Sequence, residues 1–239
     1  MLGKFQRQIK GWIQASGGLV YHYRHLKYSK QWMPFKKELE RWLLNHSPQH
    51  GKLALIGPSA GYKVPDSLLQ RYDAIYANDI DGLSSLLFQF FHSTPIAQWN
   101  HENYFLSNER QINTSAFEQI SKVYFDCHLL FCNFLGQLGF HFDFDETQCS
   151  KLHKSLLTVN NSWSSFHDLY SLEASEDYLN RWTEGWRSCH SREHLEDQIQ
   201  ELAKWISFPS SLVMQDHWTK LIIPSETVHS YFLWRLGPR

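Results

Sequence analysis

The chain has 239 residues, 42% of them hydrophobic and 20% charged, which excludes a disordered protein and is enough to bury a full core without disulfide staples. The net charge is −1, so bulk electrostatics select no partner. The charge is unevenly placed: residues 1–42 carry nine Lys and Arg against two Glu, a net of +7 that leaves −8 on the remainder.

Residues 5–16 and 31–45 read as amphipathic helices, the second with Trp32, Phe35, Leu39, Trp42 and Leu43 at helical spacing. The turn residues of 45–51 then break the pattern and divide an N-terminal helical arm or lid, 1–50, from an α/β domain, 51–239. Between the two predicted helices, Tyr21, His22, Tyr23 and His25 mix aromatic and basic groups, which suits base stacking, a lid over a pocket, or an arm packed on the body. Through this basic arm a nucleic acid is not excluded as a partner.

Leu53-Ala-Leu-Ile56 reads as a buried parallel strand that ends at Gly57. Pro65–Arg71 reads as a short helix, and Ala74–Ala77 as a second strand leading into Asn78-Asp79. An apolar helix spans Gly82–Phe91, and Ile96–Phe105 holds a third strand. A helix at 116–122 precedes the strand His128–Cys132. Residues 143–205 read as mostly helical and polar. Ser211–Gln215 reads as a fifth strand, and Trp218–Ile223 with Val228–Leu236 as an antiparallel hairpin around Pro224–Thr227. This order predicts a doubly wound, mostly parallel seven-stranded α/β sheet with a C-terminal antiparallel hairpin. Ligands in such sheets sit at the carboxyl ends of the strands.

Two strand ends carry the central motif. Gly57-Pro-Ser-Ala-Gly61 supplies small residues where a backbone must approach a ligand, and Asp79 follows Gly57 by 22 residues at the next strand end. A carboxylate there accepts hydrogen bonds from both hydroxyls of a ribose. The same glycines also fit a plain strand-to-helix turn, and Asp79 also fits a cap for the helix near Gly82. Gly57–Gly61 further reads as the Gly-x-Ser-x-Gly elbow of a serine hydrolase, with Ser59 as nucleophile and Asp216 and His229 in the required order. His217, at the end of the predicted fifth strand, is placed to act as a base or contact a substrate.

These motifs resemble the class I S-adenosylmethionine-dependent methyltransferases. Gly57, Ser59 and Gly61 are similar to that family's G-x-G-x-G loop, with Ser59 at the middle glycine and Pro58 removing one N–H. Asp79 matches its acidic residue, Asn103 lies where an adenine contact ends the third strand, and Asn133 follows the fourth strand near the donor methionine. The resemblance implies S-adenosyl-L-methionine as cofactor, no metal, transfer of a methyl group to an unknown acceptor, and Tyr21, His22, His25 and His217 as candidate substrate contacts. The alternative it leaves open is a binding or regulatory protein that keeps the fold without the transfer. The four cysteines form no C-x-x-C pair, and no stretch reaches the roughly 18 apolar residues of a membrane span, so a reducing cytoplasmic setting is expected.

Overall fold

The computed structural model describes residues 19–27, 29–30, 32–49, 51–105, 113–135, 146–157, 159–174, 185–188, 214–223 and 228–236. The helix expected over 5–16 and the turn expected at 224–227 lie outside them.

Strand β1 (Lys52–Ile56) is a run with no polar alternation, and the fold explains why: both of its faces are covered. Leu53 and Leu55 point into one cluster with Phe35, Leu39, Trp42 and Leu43 of helix α2 (Met33–His46), Leu68 and Leu69 of α3 (Asp66–Leu69) and Phe88 of α4 (Ser84–Phe91). Ala54 and Ile56 point the other way, into a cluster with Phe117 and Ile120 of α5 (Ala116–Val123) and Leu152 and Leu156 of α6 (Glu146–Leu157). Strand β4 (Cys127–Cys132) is buried at all six positions for the same reason. The result is a three-layer α/β/α stack.

β1 lies between β2 (Ala74–Asn78) and β4, parallel to both. Short β3 (Gln98–Asn100) extends the parallel half beside β2, and β5 (Trp163–Ala174) extends it beside β4. Five parallel strands flanked by helices make a Rossmann-like α/β arrangement. Beyond β5 the direction reverses. β7 (Met214–Ile223) pairs antiparallel with β5 and β8 (Val228–Leu236), and β6 (Gly185–Ser188) pairs antiparallel with β8. The order among the described strands is β3-β2-β1-β4-β5-β7-β8-β6.

Three expectations need correction. The sheet has eight described strands rather than seven. Among the described residues of 143–205, α6 is followed by a strand, β5, whose Ser164 and Ser165 are fully buried where a polar reading placed a helix surface. The fifth strand is therefore 163–174, and Met214–Gln215 open the long β7, which also absorbs Trp218–Ile223. The third strand is also shorter than expected, because after Asn100 the chain turns on its own amide side chain, with the Glu102 N–H bonded to Asn100 Oδ1 at 3.0 Å.

Buried Ser164 of β5, with Ser162 just before the strand, solves a polar problem inside the sheet. His128 on β4 shares hydrogen bonds with Ser162 Oγ and Ser164 Oγ, both at 3.0 Å. Burial pushes its imidazole down to about 4. The unfolded chain therefore takes up a proton near pH 6.5 that the folded chain refuses until about pH 4, so this group's share of stability is lost as pH falls across that window. Its size is roughly 3 kcal/mol. A His128→Gln variant should flatten the pH dependence of the urea midpoint between pH 6.5 and 4; an unchanged slope sinks the assignment.

Among the described residues no helix is long and apolar enough to cross a membrane, and no group of three or more His, Cys, Asp or Glu is arranged to hold a metal. Cys127 and Cys132 are free and buried.

Candidate functional site

The carboxyl ends of β1, β2 and β4 are level in the sheet, because Ile56 pairs with both Asn78 and Phe131. The residues after each strand therefore emerge side by side. Gly57 continues the ladder, its N–H donating to Asn78 O at 2.8 Å, and then turns at φ +68°. Ser59 follows at φ +50° and Gly61 at +71°. Past β4, Asn133 adopts φ +54° while its N–H donates to Phe166 O at 2.7 Å. Ser59 and Asn133 are the non-glycine residues with left-handed φ among those described, and both stand at this edge. Each costs about 1–2 kcal/mol in backbone strain, and such strain concentrates at functional sites.

Asp79 binds the loop from the neighbouring strand. Its Oδ2 accepts the Ser59 N–H at 2.6 Å and its Oδ1 accepts the Asp81 N–H at 2.9 Å. Burial raises its carboxyl to about 6, and those two backbone donors limit the rise. Gly57, Ser59, Asp79, Asn103 and Asn133 are all half-buried, so the edge is open enough for a ligand to touch them. Asn103 lies three residues beyond β3 rather than at its end, and its Oδ1 accepts the Phe105 N–H at 3.1 Å.

The two glycines differ in what needs them. A Cβ on Gly61 would fall 2.5 Å from His92 Nε2 and from Phe88 Cε2, so its bare Cα is used by helix α4 packing against the loop. Gly61→Ala should destabilise the fold by about 2–4 kcal/mol, adding overpacking to left-handed strain. A thermal melt within a degree or two of wild type would refute that. A Cβ on Gly57 would meet Phe134 Cδ2 at 3.1 Å, a tight contact with a side chain that can shift.

Helix α1 (Leu19–Lys27) lies against the same edge. His22 Nε2 bonds Asp81 Oδ2 and its Nδ1 bonds the Tyr62 hydroxyl, both at 2.9 Å. Burial works against the Asp81 carboxylate, yet the bonds from His22 and the Leu83 N–H hold it below the usual range. With Asp81 ionised, Nε2–H donates to it. His25 stacks on Tyr62 at 4.1 Å with 7° between the planes, and Tyr21 lies 6.1 Å from the Tyr62 ring. So Tyr21, His22 and His25 come together around the residue that follows Gly61. Sequence reasoning passed over Tyr62 and Asp81; the signal was there in the acidic pair of Asn78-Asp-Ile-Asp81 and in the aromatic beside the glycine.

His217 is not brought to this group. It is the fourth residue of β7, paired with Ser171 and Trp234, rather than the end of a fifth strand. The hydrolase arrangement also fails on placement. His229 lies on β8, four ladder steps from β1 in the strand order, which is about 19 Å at ~4.8 Å per step. Among the described residues no Ser–His hydrogen bond forms at Ser59.

No family model matches the chain, and no curated protein matches it by sequence. Solved structures do. DhpI in complex with SAH is 12% identical, with 92% of this chain and 95% of that one covered at a TM-score of 0.42. The N-methyltransferase NodS from Bradyrhizobium japonicum WM9, in complex with S-adenosyl-L-homocysteine, is 11% identical over 98% and 97% at 0.35. Magnesium protoporphyrin IX methyltransferase (ChlM) from Synechocystis PCC 6803, with bound SAM, is 10% identical over 98% and 91% at 0.37. The solved structures to which this chain is similar include S-adenosylmethionine-dependent methyltransferases.

Proposed function

We propose that the chain binds S-adenosyl-L-methionine at the carboxyl edge of β1, β2 and β4 and transfers its methyl group to an acceptor. The observation that carries this reading is the convergence of two strained non-glycine residues, Ser59 and Asn133, on an edge where a carboxylate, Asp79, is held by the loop it faces. The donor set suits the cofactor. Each Asp79 oxygen is engaged by one backbone N–H and keeps a further lone pair, which a ribose diol needs. Gly57, Ser59 and Asn133 are half-buried along this edge.

When bound, the cofactor supplies an electrophilic methyl on a sulfonium. The chain's own residues have less chemistry to do: orient the donor, admit the acceptor and exclude water. Asp79 holds the ribose end, Asn133 borders the β4 side, and α1 covers the edge through His22. The arm over 1–50 then acts as a lid on the 51–239 domain.

Isothermal titration with S-adenosylmethionine and S-adenosylhomocysteine tests the reading. Saturable one-to-one binding, lost when Asp79 is replaced, is expected. A well-folded protein that takes up neither compound at millimolar concentration overturns it. Phe134 favours a second reading, because its ring already fills the space over Gly57. If that ring stays in place, the fold binds at this edge without turnover, and binding would then be seen without methyl transfer.

A further inference from the structure

Around Tyr62 the structure buries a polar group that no described residue satisfies. His25 is 3% exposed, and its Nε2 has no hydrogen-bond partner among the described residues. The ring stacks on Tyr62 at 4.1 Å and lies 5.4 Å from the Trp32 ring, tilted by 31°. Leaving such an atom unpaired costs about 1–3 kcal/mol, so a fold that keeps it has a use for it.

Its neighbours are cationic. Lys63 is buried, with its Nζ 4.6 Å from the Trp32 ring and 5.6 Å from that of Phe35. Lys36 follows Trp32 by one helical turn, its N–H bonded to Trp32 O at 2.9 Å, and is half-buried. Burial and the Lys63 charge hold the Lys36 ammonium below its usual range. Burial, then Lys36, Lys63 and His22, push the His25 ring down to about 2. His25 is therefore neutral at any working pH, with one N–H to place. An anion at Nε2 would select the Nε2–H tautomer and relieve the repulsion between the two ammoniums.

We propose that His25, Lys36 and Lys63 form a pocket for an anionic oxygen group, a carboxylate or phosphate, carried by the methyl acceptor. The assignment to the acceptor rests on the function proposed above. The donor's own carboxylate fits less well, because an α-ammonium stands beside it and a sulfonium lies a few bonds away. Two lysines match a group without adjacent positive charge.

The test titrates inorganic phosphate and, separately, acetate into the full chain, followed by the His25 ring resonances and by calorimetry, with and without saturating S-adenosylhomocysteine. At least one anion should bind, equally in both conditions, and the stronger arm names the group. His25→Phe keeps the ring stack and removes the donor; it should weaken binding about tenfold or more. Lys36→Met keeps the stem and removes the charge; it should weaken binding about threefold. His25→Gln replaces the first variant if circular dichroism shows that it does not fold. Failure of both anions to bind, or unchanged affinity in the variants, overturns the pocket. Displacement of the anion by S-adenosylhomocysteine gives the pocket to the donor's carboxylate and overturns the acceptor assignment. Anion binding in a protein that binds no S-adenosylhomocysteine keeps the pocket and overturns the methyltransferase reading instead.

Discussion

Asp79→Ala is expected to weaken S-adenosylhomocysteine binding by ~1.5–3 kcal/mol, the range for removing hydrogen bonds to a charged group. The carboxylate is the acceptor proposed for the ribose, and it also ties the Ser59 N–H to β2 at 2.6 Å, so the loop loses an anchor along with the ligand. The same residue predicts a pH profile. Its folded-state value of about 6 stands above the ordinary 3.8 because burial disfavours the charge. An acid raised in this way makes the folded chain hold a proton that the unfolded chain has released. Stability therefore falls as pH rises from about 4 to 6, and the cost persists above that, roughly 3 kcal/mol at one or two units above the folded value. Its sign is opposite to that of His128. Cofactor affinity should run the other way and drop below pH 6, where the acceptor is protonated. Calorimetry from pH 5 to 8 checks both. A variant that folds, binds as tightly as wild type and shows the same pH profile removes Asp79 from the site.

Deletion of residues 1–45 should leave a chain that does not fold cooperatively. Phe35, Leu39, Trp42 and Leu43 are all at or below 6% exposure and share one cluster with Leu53, Leu55, Leu68 and Phe88. At about 1.5–3 kcal/mol for each buried side chain, the loss is about 6–12 kcal/mol, comparable with the ~5–15 kcal/mol that holds a whole domain together. The arm also takes away His22, which bonds Asp81 and Tyr62 at the candidate site. The outcomes to compare are solubility, the urea transition and cofactor binding of the truncated chain. A soluble, cooperatively unfolding product with unchanged affinity makes the arm an appendage and refutes its role as a lid.

What the sequence made legible was the part of the fold whose physics is one-sided. Leu53–Ile56 and His128–Cys132 are apolar at nearly every position because helices cover both faces, and such runs read as buried strands without ambiguity. The turn after Ile56 was readable from its glycines, and Asp79 from its distance to them. β5 was not readable because its serines look like solvent-facing residues. The burial of Ser164 makes sense only once His128 is known to sit across the ladder as its partner. β7 was read as two pieces because Asp216 and His217 interrupt its apolar pattern, and pairing with both β5 and β8 carries the strand through them. At the site, the Tyr62–His22–Asp81 chain joins residues 40 and 59 positions apart, a proximity that no local pattern encodes.

The pairing of β1 with β4 has a kinetic consequence. Lys52 meets Cys127, so the central ladder closes only after 75 residues have been gathered in, while β7 and β8 close through the four residues between Ile223 and Val228. A hairpin of that kind forms in about 1–10 μs, whereas long-range parallel pairing spends loop entropy before any contact returns it. The two halves of the sheet should thus assemble at very different speeds. In the interval, the Cys127–Cys132 segment, buried at every position in the finished sheet, is an exposed apolar strand without its neighbours. Refolding yield should fall with protein concentration, and a single added charge within that segment should relieve the aggregation while destroying the native core.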